Sequence, residues 1–260
     1  MRGGDNEEQG VIPRSASFLF EQSKFSEALG WQFGFSLSFV EIYNNEASDL
    51  LNNSKILKVR LNGQDVSVDG LTTHSINSTG EVDRLCCKAD AARKTSATKC
   101  NEQSSRSHLI YQWVIKAHQP STSFLYSFFK FVRGFSNMNT TSVLKLVDLA
   151  GSDRAKESGV VGDRFKEMTH INKSLSKLQK CINMQKGKAS HVPYRDSKLT
   201  ELLKDCLGAG SPKTMVLVNI NPCDKQTQES KRSLEFAAKM RDTKMGTALQ
   251  QRDINQKMDE

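Results

Sequence analysis

Two stretches carry the strongest signal in this sequence: Asn-Glu-Gln-Ser-Ser-Arg-Ser-His at residues 101–108 and Asp-Leu-Ala-Gly-Ser-Asp at residues 148–153. The first offers clustered hydroxyl groups and an arginine. The second follows an apolar, largely β-branched run at residues 143–147, which predicts a loop that leaves the end of a buried strand. Open α/β sheets bind their ligands at the ends of strands. The two polar loops therefore predict a ligand-binding site at the ends of strands.

Together the two loops resemble switch I and switch II of the kinesin motor family, and several other segments carry the same resemblance. In chain order these are Phe-Val-Glu-Ile-Tyr-Asn at 39–44, Asn-Lys-Ser-Leu-Ser of the relay helix at 172–176, the loop and helix signature at 191–200, and Leu-Glu-Phe-Ala of the last motor helix at 234–237. The resemblance covers about residues 11–246. Lys-Met-Gly at 244–246 is most similar to kinesins whose motor is C-terminal.

The resemblance implies a three-layer α/β fold around a central, mostly parallel or mixed sheet. It divides the chain into a partial motor domain at residues 1–246 and a polar tail at residues 247–260. An insertion at about residues 118–140 interrupts the motor, and six aromatic residues fall within positions 124–135. Three explanations stay open for this insertion: a partner-binding loop, a buried hairpin extension, or translated non-coding sequence in an imperfect gene model.

A phosphate loop, Gly-x-x-x-x-Gly-Lys-Ser/Thr, is expected upstream of switch I but does not occur in these 260 residues. Val-Ile-Pro-Arg at 11–14 resembles the segment that shortly follows this loop in the family, so we expect the chain to begin just after it. In the family that loop supplies most of the nucleotide affinity. The resemblance also places a central strand before it, whose absence would leave neighbouring strands without partners. We therefore expect weak or no ATP binding by these 260 residues, and compromised folding.

The composition excludes several classes of protein. Hydrophobic residues make up 37% and charged residues 25%, which is typical of a globular domain. No stretch approaches the roughly 20 apolar residues of a membrane span, so we expect no membrane partner. The six cysteines include no Cys-x-x-Cys pair, which favours reduced thiols and a cytosolic or nuclear location.

Positive charge is concentrated in one part of the chain. The net charge is +8, and eight basic residues against two acidic ones fall between Lys173 and Lys204. Such a patch indicates an acidic partner. Nucleic acid is the general candidate, whereas the resemblance points to the microtubule and not to nucleic acid. The residues expected to contact tubulin are Lys173, Lys177, Lys180, Lys186, Lys188, His191, Tyr194, Arg195 and Lys198.

The resemblance also implies roles at the nucleotide. Ser104 and Ser105 would approach the γ-phosphate and the magnesium shell, Asp148 would hold Mg²⁺ through water, and Gly151 would present its backbone N–H to the γ-phosphate. Arg106 would pair with the switch II acid, which here is Asp153 where the family has glutamate; the shorter side chain predicts a poorer closure. The nucleotide-binding set is Asn101, Ser104, Ser105, Ser107, His108, Asp148 and Gly151, and the catalytic set is Ser104, Ser105, Arg106, Asp148, Gly151 and Asp153.

Three functions follow, in order of preference. The first is a kinesin-like motor domain that couples ATP hydrolysis to movement along microtubules in the intact protein, in the cytoplasm and on the cytoskeleton. The second is a non-motile microtubule-binding module that has lost its nucleotide chemistry. The third is a basic nucleic-acid-binding domain. No useful heptad repeat is present, so any coiled coil that forms a dimer would lie outside this chain.

Overall fold

The computed structural model of the protein describes residues 1–4, 6–63, 65–96, 106–120, 138–151, 163–186, 191–207, 212–220, 223, 227–241 and 253–254. Within these residues, no helix has the length and apolar character needed to cross a bilayer. Most of the aromatic-rich insertion and nearly all of the polar tail lie outside the described residues. The three explanations for the insertion therefore stay open.

A seven-stranded sheet forms the centre of the fold. Its strands are β1 (Gln32–Tyr43), β2 (Glu46–Asp49), β3 (Lys55–Ile56), β6 (His74–Ile76), β7 (His108–Gln119), β8 (Met138–Asp148) and β9 (Asp253–Ile254). The order across the sheet is β3-β2-β1-β7-β8-β9, and β6 also pairs with β1. The hairpin of β4 (Lys58–Asn62) and β5 (Asp65–Asp69) stands apart as a second sheet.

Six α-helices accompany the strands in the described residues. They are α1 (Val11–Glu27), α2 (Thr79–Ser96), α3 (Asp163–Lys186), α4 (Lys198–Leu202), α5 (Lys204–Leu207) and α6 (Thr227–Arg241). Short 3-10 turns lie at Asn6–Glu8 and Tyr194–Asp196.

The two faces of the sheet carry separate hydrophobic cores. Successive side chains of a strand point to opposite faces, so Phe35, Leu37 and Phe39 of β1 pack in one cluster with α1 and α2. Val40 and Ile42 pack in the other cluster with α3, α4 and α5. Helices thus cover both faces, which confirms the predicted three-layer α/β architecture.

Local sequence signals predict several of these elements correctly. Alternation over residues 33–43 predicts a strand, Asn62-Gly63 predicts a turn, and Ser-Thr-Gly-Glu at 78–81 predicts a helix cap. The predicted strand at residues 33–43 is β1, and the predicted turn at Asn62-Gly63 joins β4 to β5, with Gly63 at φ +57°. Ser78 accepts a hydrogen bond from the Glu81 N–H at 3.3 Å, and the Glu81 carboxylate accepts one from the Asn77 N–H at 2.7 Å. These contacts satisfy helix-terminal donors, so α2 begins where the sequence predicts a cap.

The described part of the sheet differs from the prediction in three details. Every strand pair in the described residues is antiparallel, whereas a mostly parallel or mixed sheet is predicted. β8 forms, but it is only partly covered, and Val143 is 52% exposed. The apolar run at residues 215–220 predicts a buried strand, but it forms no strand, and Met215 is 82% exposed.

A missing neighbour explains the exposed apolar residues. Beyond Asn139, the edge of β8 that faces away from β7 pairs with no strand among the described residues. A run of apolar residues becomes a buried strand only when another strand takes up its backbone groups. Hydrophobicity alone therefore could not place residues 215–220 in the sheet.

Candidate functional site

Strand pairing brings the two signature loops together. β7 begins at His108, the last residue of the first stretch, and β8 ends at Asp148, the first residue of the second. Leu109 pairs with Asp148 across the two strands. The Ala150 N–H also donates a hydrogen bond to Nδ1 of His108 at 2.9 Å. Two segments that are forty residues apart in the sequence therefore meet at one end of the sheet.

The structure describes only part of the predicted nucleotide site. Arg106, Ser107, His108, Asp148 and Gly151 lie within it, on or beside the ends of β7 and β8. Asn101, Ser104, Ser105 and Asp153 lie outside the described residues, so the roles predicted for them stay predictions.

A buried network that the sequence analysis missed holds the end of the first loop. Arg93 at the end of α2 donates from Nε to Glu41 Oε1 at 3.3 Å and from Nη2 to the Ser107 carbonyl at 3.0 Å. Ser107 donates its hydroxyl proton to Glu41 Oε1 at 2.6 Å. All three residues are at least nine-tenths buried. The signal was available, because a glutamate within an apolar strand requires a buried partner.

His108 is buried at 3% exposure and both of its ring nitrogens have partners. Nδ1 faces the Ala150 N–H, and Nε2 lies 2.8 Å from the Ser174 hydroxyl on α3. Burial, and then the positive charge of Arg93, lower the pKa of His108 to about 4. These contacts are internal to the protein, so they support a structural role rather than the predicted nucleotide contact.

The lowered pKa makes a prediction about acid stability. The unfolded chain takes up a proton on this histidine below its ordinary pKa of about 6.5, whereas the folded protein resists it down to about 4. The contribution is therefore complete above pH 6.5 and is lost as the pH falls towards 4. Wild type should lose about 2 kcal/mol from this source by pH 5 and about 3 kcal/mol by pH 4.

Urea unfolding of wild type and His108→Gln at pH 7.5, 5 and 4 measures this difference. Both proteins share every other titrating group. The pH dependence of the difference between their free energies of unfolding therefore reports the His108 imidazole alone. A gap that stays constant with pH would contradict the prediction.

The expected surface for tubulin is built around α3 and α4. Ile171, Leu178 and Ile182 bury one side of α3, as the helical spacing predicts. Lys173 and Arg195 are exposed. Lys177 donates to the Asp196 carbonyl, Lys180 lies 3.6 Å from the Asp196 carboxylate, and Lys198 lies 2.6 Å from Glu201. Lys188 and the side chain of Lys186 lie outside the described residues.

Two further members of the predicted surface set differ from each other. His191 is exposed, as expected. Tyr194 is only 8% exposed and packs in the second core, where its hydroxyl accepts a hydrogen bond from Gln185. This burial counts against the predicted surface contact, because the aromatic ring contributes apolar area to the core. The role in tubulin binding stays a prediction.

Lys145 is a second residue that the sequence analysis missed. It lies within the run at 143–147, yet only 4% of its side chain is exposed. Its ammonium group donates to the Leu202 carbonyl at 2.9 Å and to the Asp205 carboxylate at 2.6 Å. The contact joins β8 to the end of α4, where helix carbonyls need donors.

Within the described residues, no group of three or more His, Cys, Asp or Glu side chains is arranged to hold a metal ion. Asp148 nevertheless offers, beside the second loop, the kind of oxygen ligand that Mg²⁺ prefers. Such a carboxylate fits a site in which one protein carboxylate and the phosphates of the substrate together coordinate Mg²⁺.

Comparison with known proteins agrees with this arrangement. The family model described as "Kinesin motor domain" matches residues 1–243. Kinesin-like protein KIN-14D of Arabidopsis thaliana is 37% identical over 257 residues, which cover 92% of this chain and 31% of that protein. Carboxy-terminal kinesin 2 of Xenopus laevis is 37% identical over 250 residues, which cover 94% of this chain and 36% of that protein.

A solved structure of dimeric KIF14 with AMP-PNP in complex with a microtubule superposes with a TM-score of 0.81 at 31% identity. The match covers 97% of this chain and 69% of that one. The chain spans about a third of the length of the two curated relatives.

Proposed function

Because this chain belongs to the kinesin motor domain family, we propose that it is the motor portion of a protein that couples ATP binding and hydrolysis to movement along microtubules. The observation that carries the proposal is the pairing of Leu109 with Asp148, which brings both signature loops to one end of the sheet. Helix α3, which carries the lysine-rich surface, contacts the same end through Ser174. The proposed phosphate site and the proposed surface for an acidic partner would therefore be connected through the contact of His108 with Ser174.

At the nucleotide, Asp148 is the described residue suited to hold Mg²⁺ through water, together with Ser104 and Ser105 of the first loop. Bound Mg²⁺ would neutralise charge on the phosphate oxygens of ATP. Gly151 would offer its backbone N–H to the terminal phosphate. Arg106 and Asp153 would close the two loops over the nucleotide, and the network of Arg93, Glu41 and Ser107 holds the base of the first loop.

At the track, the exposed groups of Lys173 and Arg195 are the primary candidates for contact with tubulin. Lys177, Lys180 and Lys198 lie close by, but each already contacts an acidic residue or a carbonyl group. Exchange of these internal contacts for acidic groups on tubulin would cost little, because exposed ion pairs contribute only about 0–1 kcal/mol.

A cosedimentation experiment tests the proposed partner. At low ionic strength the 260-residue protein should pellet with taxol-stabilised microtubules, and salt should release it because screening weakens exposed charge interactions. Samples with ATP, with ADP and without nucleotide show whether binding responds to the nucleotide. Duplex DNA serves as the competing polyanion, at a concentration of base pairs equal to the concentration of tubulin dimers.

The outcomes separate the three functions. Binding to microtubules that responds to nucleotide supports the motor. Microtubule binding that is equal with ATP, with ADP and without nucleotide supports the non-motile module. A preference for DNA over tubulin would overturn the microtubule assignment. Absence of cosedimentation by folded protein would overturn it as well.

The proposal also includes the location and the assembly. We infer a cytoplasmic, microtubule-associated protein, since the family acts on the cytoskeleton. Dimerisation through a coiled coil outside residues 1–260 agrees with the dimeric state of the KIF14 structure.

A further inference from the structure

His108 lies at the contact between three elements. It is the first residue of β7, and its side chain points to the face of the sheet that α3 covers. Its Nδ1 lies 2.9 Å from the Ala150 backbone nitrogen, in the loop that follows β8. Its Nε2 lies 2.8 Å from Ser174 Oγ on α3. One imidazole ring therefore spans from this loop to the helix.

The directions of these hydrogen bonds leave only one arrangement of protons. A backbone N–H can only donate, so Nδ1 must accept from Ala150 and carry no proton. A neutral imidazole then carries its proton on Nε2 and donates it to Ser174. The Ser174 hydroxyl in turn donates to the Ile171 carbonyl at 2.7 Å. Each donor in the series has an acceptor.

The surroundings keep the ring neutral and the series intact. His108, Ala150 and Ser174 are all less than 9% exposed, so water does not compete strongly for these groups. Burial and the charge of Arg93 oppose protonation of the ring. In a buried site, a polar group that loses its partner has no ready replacement, which makes the whole arrangement selective for one tautomer.

We propose that His108 is a positioning residue whose fixed Nε2–H tautomer ties Ala150 in the loop after β8 to Ser174 on α3, so that the loop and the helix keep one relative position. Movement of α3 that separates Ser174 from the ring removes the acceptor of the Nε2 proton. The ring then has no partner on the helix side to hold it in the position from which Nδ1 accepts the Ala150 hydrogen bond. Displacement of the helix therefore weakens the hydrogen bond of the Ala150 backbone N–H in the loop. The inference concerns contacts within the protein and holds whether or not the chain acts on microtubules.

The test uses the 260-residue protein labelled with ¹⁵N, in three variants. Ser174→Ala removes the acceptor, Ser174→Thr keeps a hydroxyl at the same place, and Ser176→Ala removes an exposed hydroxyl from the same helix as a matched control. Imidazole ¹⁵N shifts report the tautomer of His108, assigned by comparison with His108→Gln. Hydrogen exchange reports the protection of the Ala150 amide relative to amides of β1, which report global opening.

Wild type, Ser174→Thr and Ser176→Ala should show the Nε2–H tautomer. In Ser174→Ala the Ala150 N–H still keeps Nδ1 unprotonated, so the Nε2–H tautomer should remain. The Ala150 amide should nevertheless exchange about fivefold faster relative to β1, as expected for weakening one neutral hydrogen bond. Equal exchange at Ala150 in Ser174→Ala and Ser176→Ala would overturn the inference. So would an Nδ1–H tautomer in wild type, a result that needs no variant to fold.

Discussion

Replacement of Glu41 with leucine should lower the free energy of unfolding by about 3–5 kcal/mol. Glu41 lies on the side of β1 that faces α2, and only 3% of its side chain is exposed. Its carboxylate receives hydrogen bonds from Arg93 and Ser107. Without it, Arg93 keeps its positive charge in a buried site and loses the carboxylate that lies 3.3 Å from its Nε. Urea unfolding, followed by circular dichroism, measures the loss.

Two comparisons show whether the buried charge is the cause. Glu46→Leu changes an exposed glutamate on the neighbouring strand and should change stability by less than about 1 kcal/mol. The double variant Glu41→Leu with Arg93→Met removes both charges and should be more stable than Glu41→Leu alone. Arg93→Met alone completes the comparison. If the double variant loses the sum of the losses of Glu41→Leu and Arg93→Met, the pairing of the two buried charges is not the reason.

Combined replacement of Lys173, Lys177, Arg195 and Lys198 with alanine should abolish cosedimentation with microtubules at low salt. Lys173 and Arg195 are exposed, and the other two groups lie beside them on the face covered by α3 and α4. Loss of four positive charges removes most of the attraction to an acidic surface. The expected drop in affinity is at least about a hundredfold, which follows from about 0.7 kcal/mol or more for each charge.

The opposite layer of the molecule provides a matched control. Lys24, Arg84, Lys88 and Lys94 are exposed on α1 and α2, across the sheet from α3. Their replacement with alanine changes the net charge by the same amount and should leave cosedimentation within about threefold of wild type. Equal losses in both variants would show that overall charge, and not a particular face, governs binding.

Elements with a clear period in the sequence were predictable. β1 alternates between two cores, α3 buries one stripe, and the Ser78 cap begins α2 where the sequence predicts it. In each of these cases the signal comes from the spacing of residues that lie close together in the sequence. The same holds for the meeting of the two signature loops, because each adjoins a strand and those strands pair.

Features that depend on distant partners were not predictable. The contact of Arg93 with Glu41 joins residues 52 positions apart, and Lys145 meets Asp205 at a separation of 60. Tyr194 lies in a segment whose resemblance suggested a surface role, yet its ring fills the core. The run at 215–220 has the composition of a strand, but strand formation requires a partner that composition does not specify.

Within the part of the chain that the structure describes, the side of β8 that faces away from β7 pairs with no strand over residues 140–148, which include the exposed Val143. Backbone amide and carbonyl groups along such an edge form a template on which another extended chain can add. At the concentrations reached in an expressing cell, such addition competes with folding and leads to inclusion bodies. Low expression temperature, or a synthetic peptide that occupies this side, should therefore increase the soluble yield more than changes in buffer do.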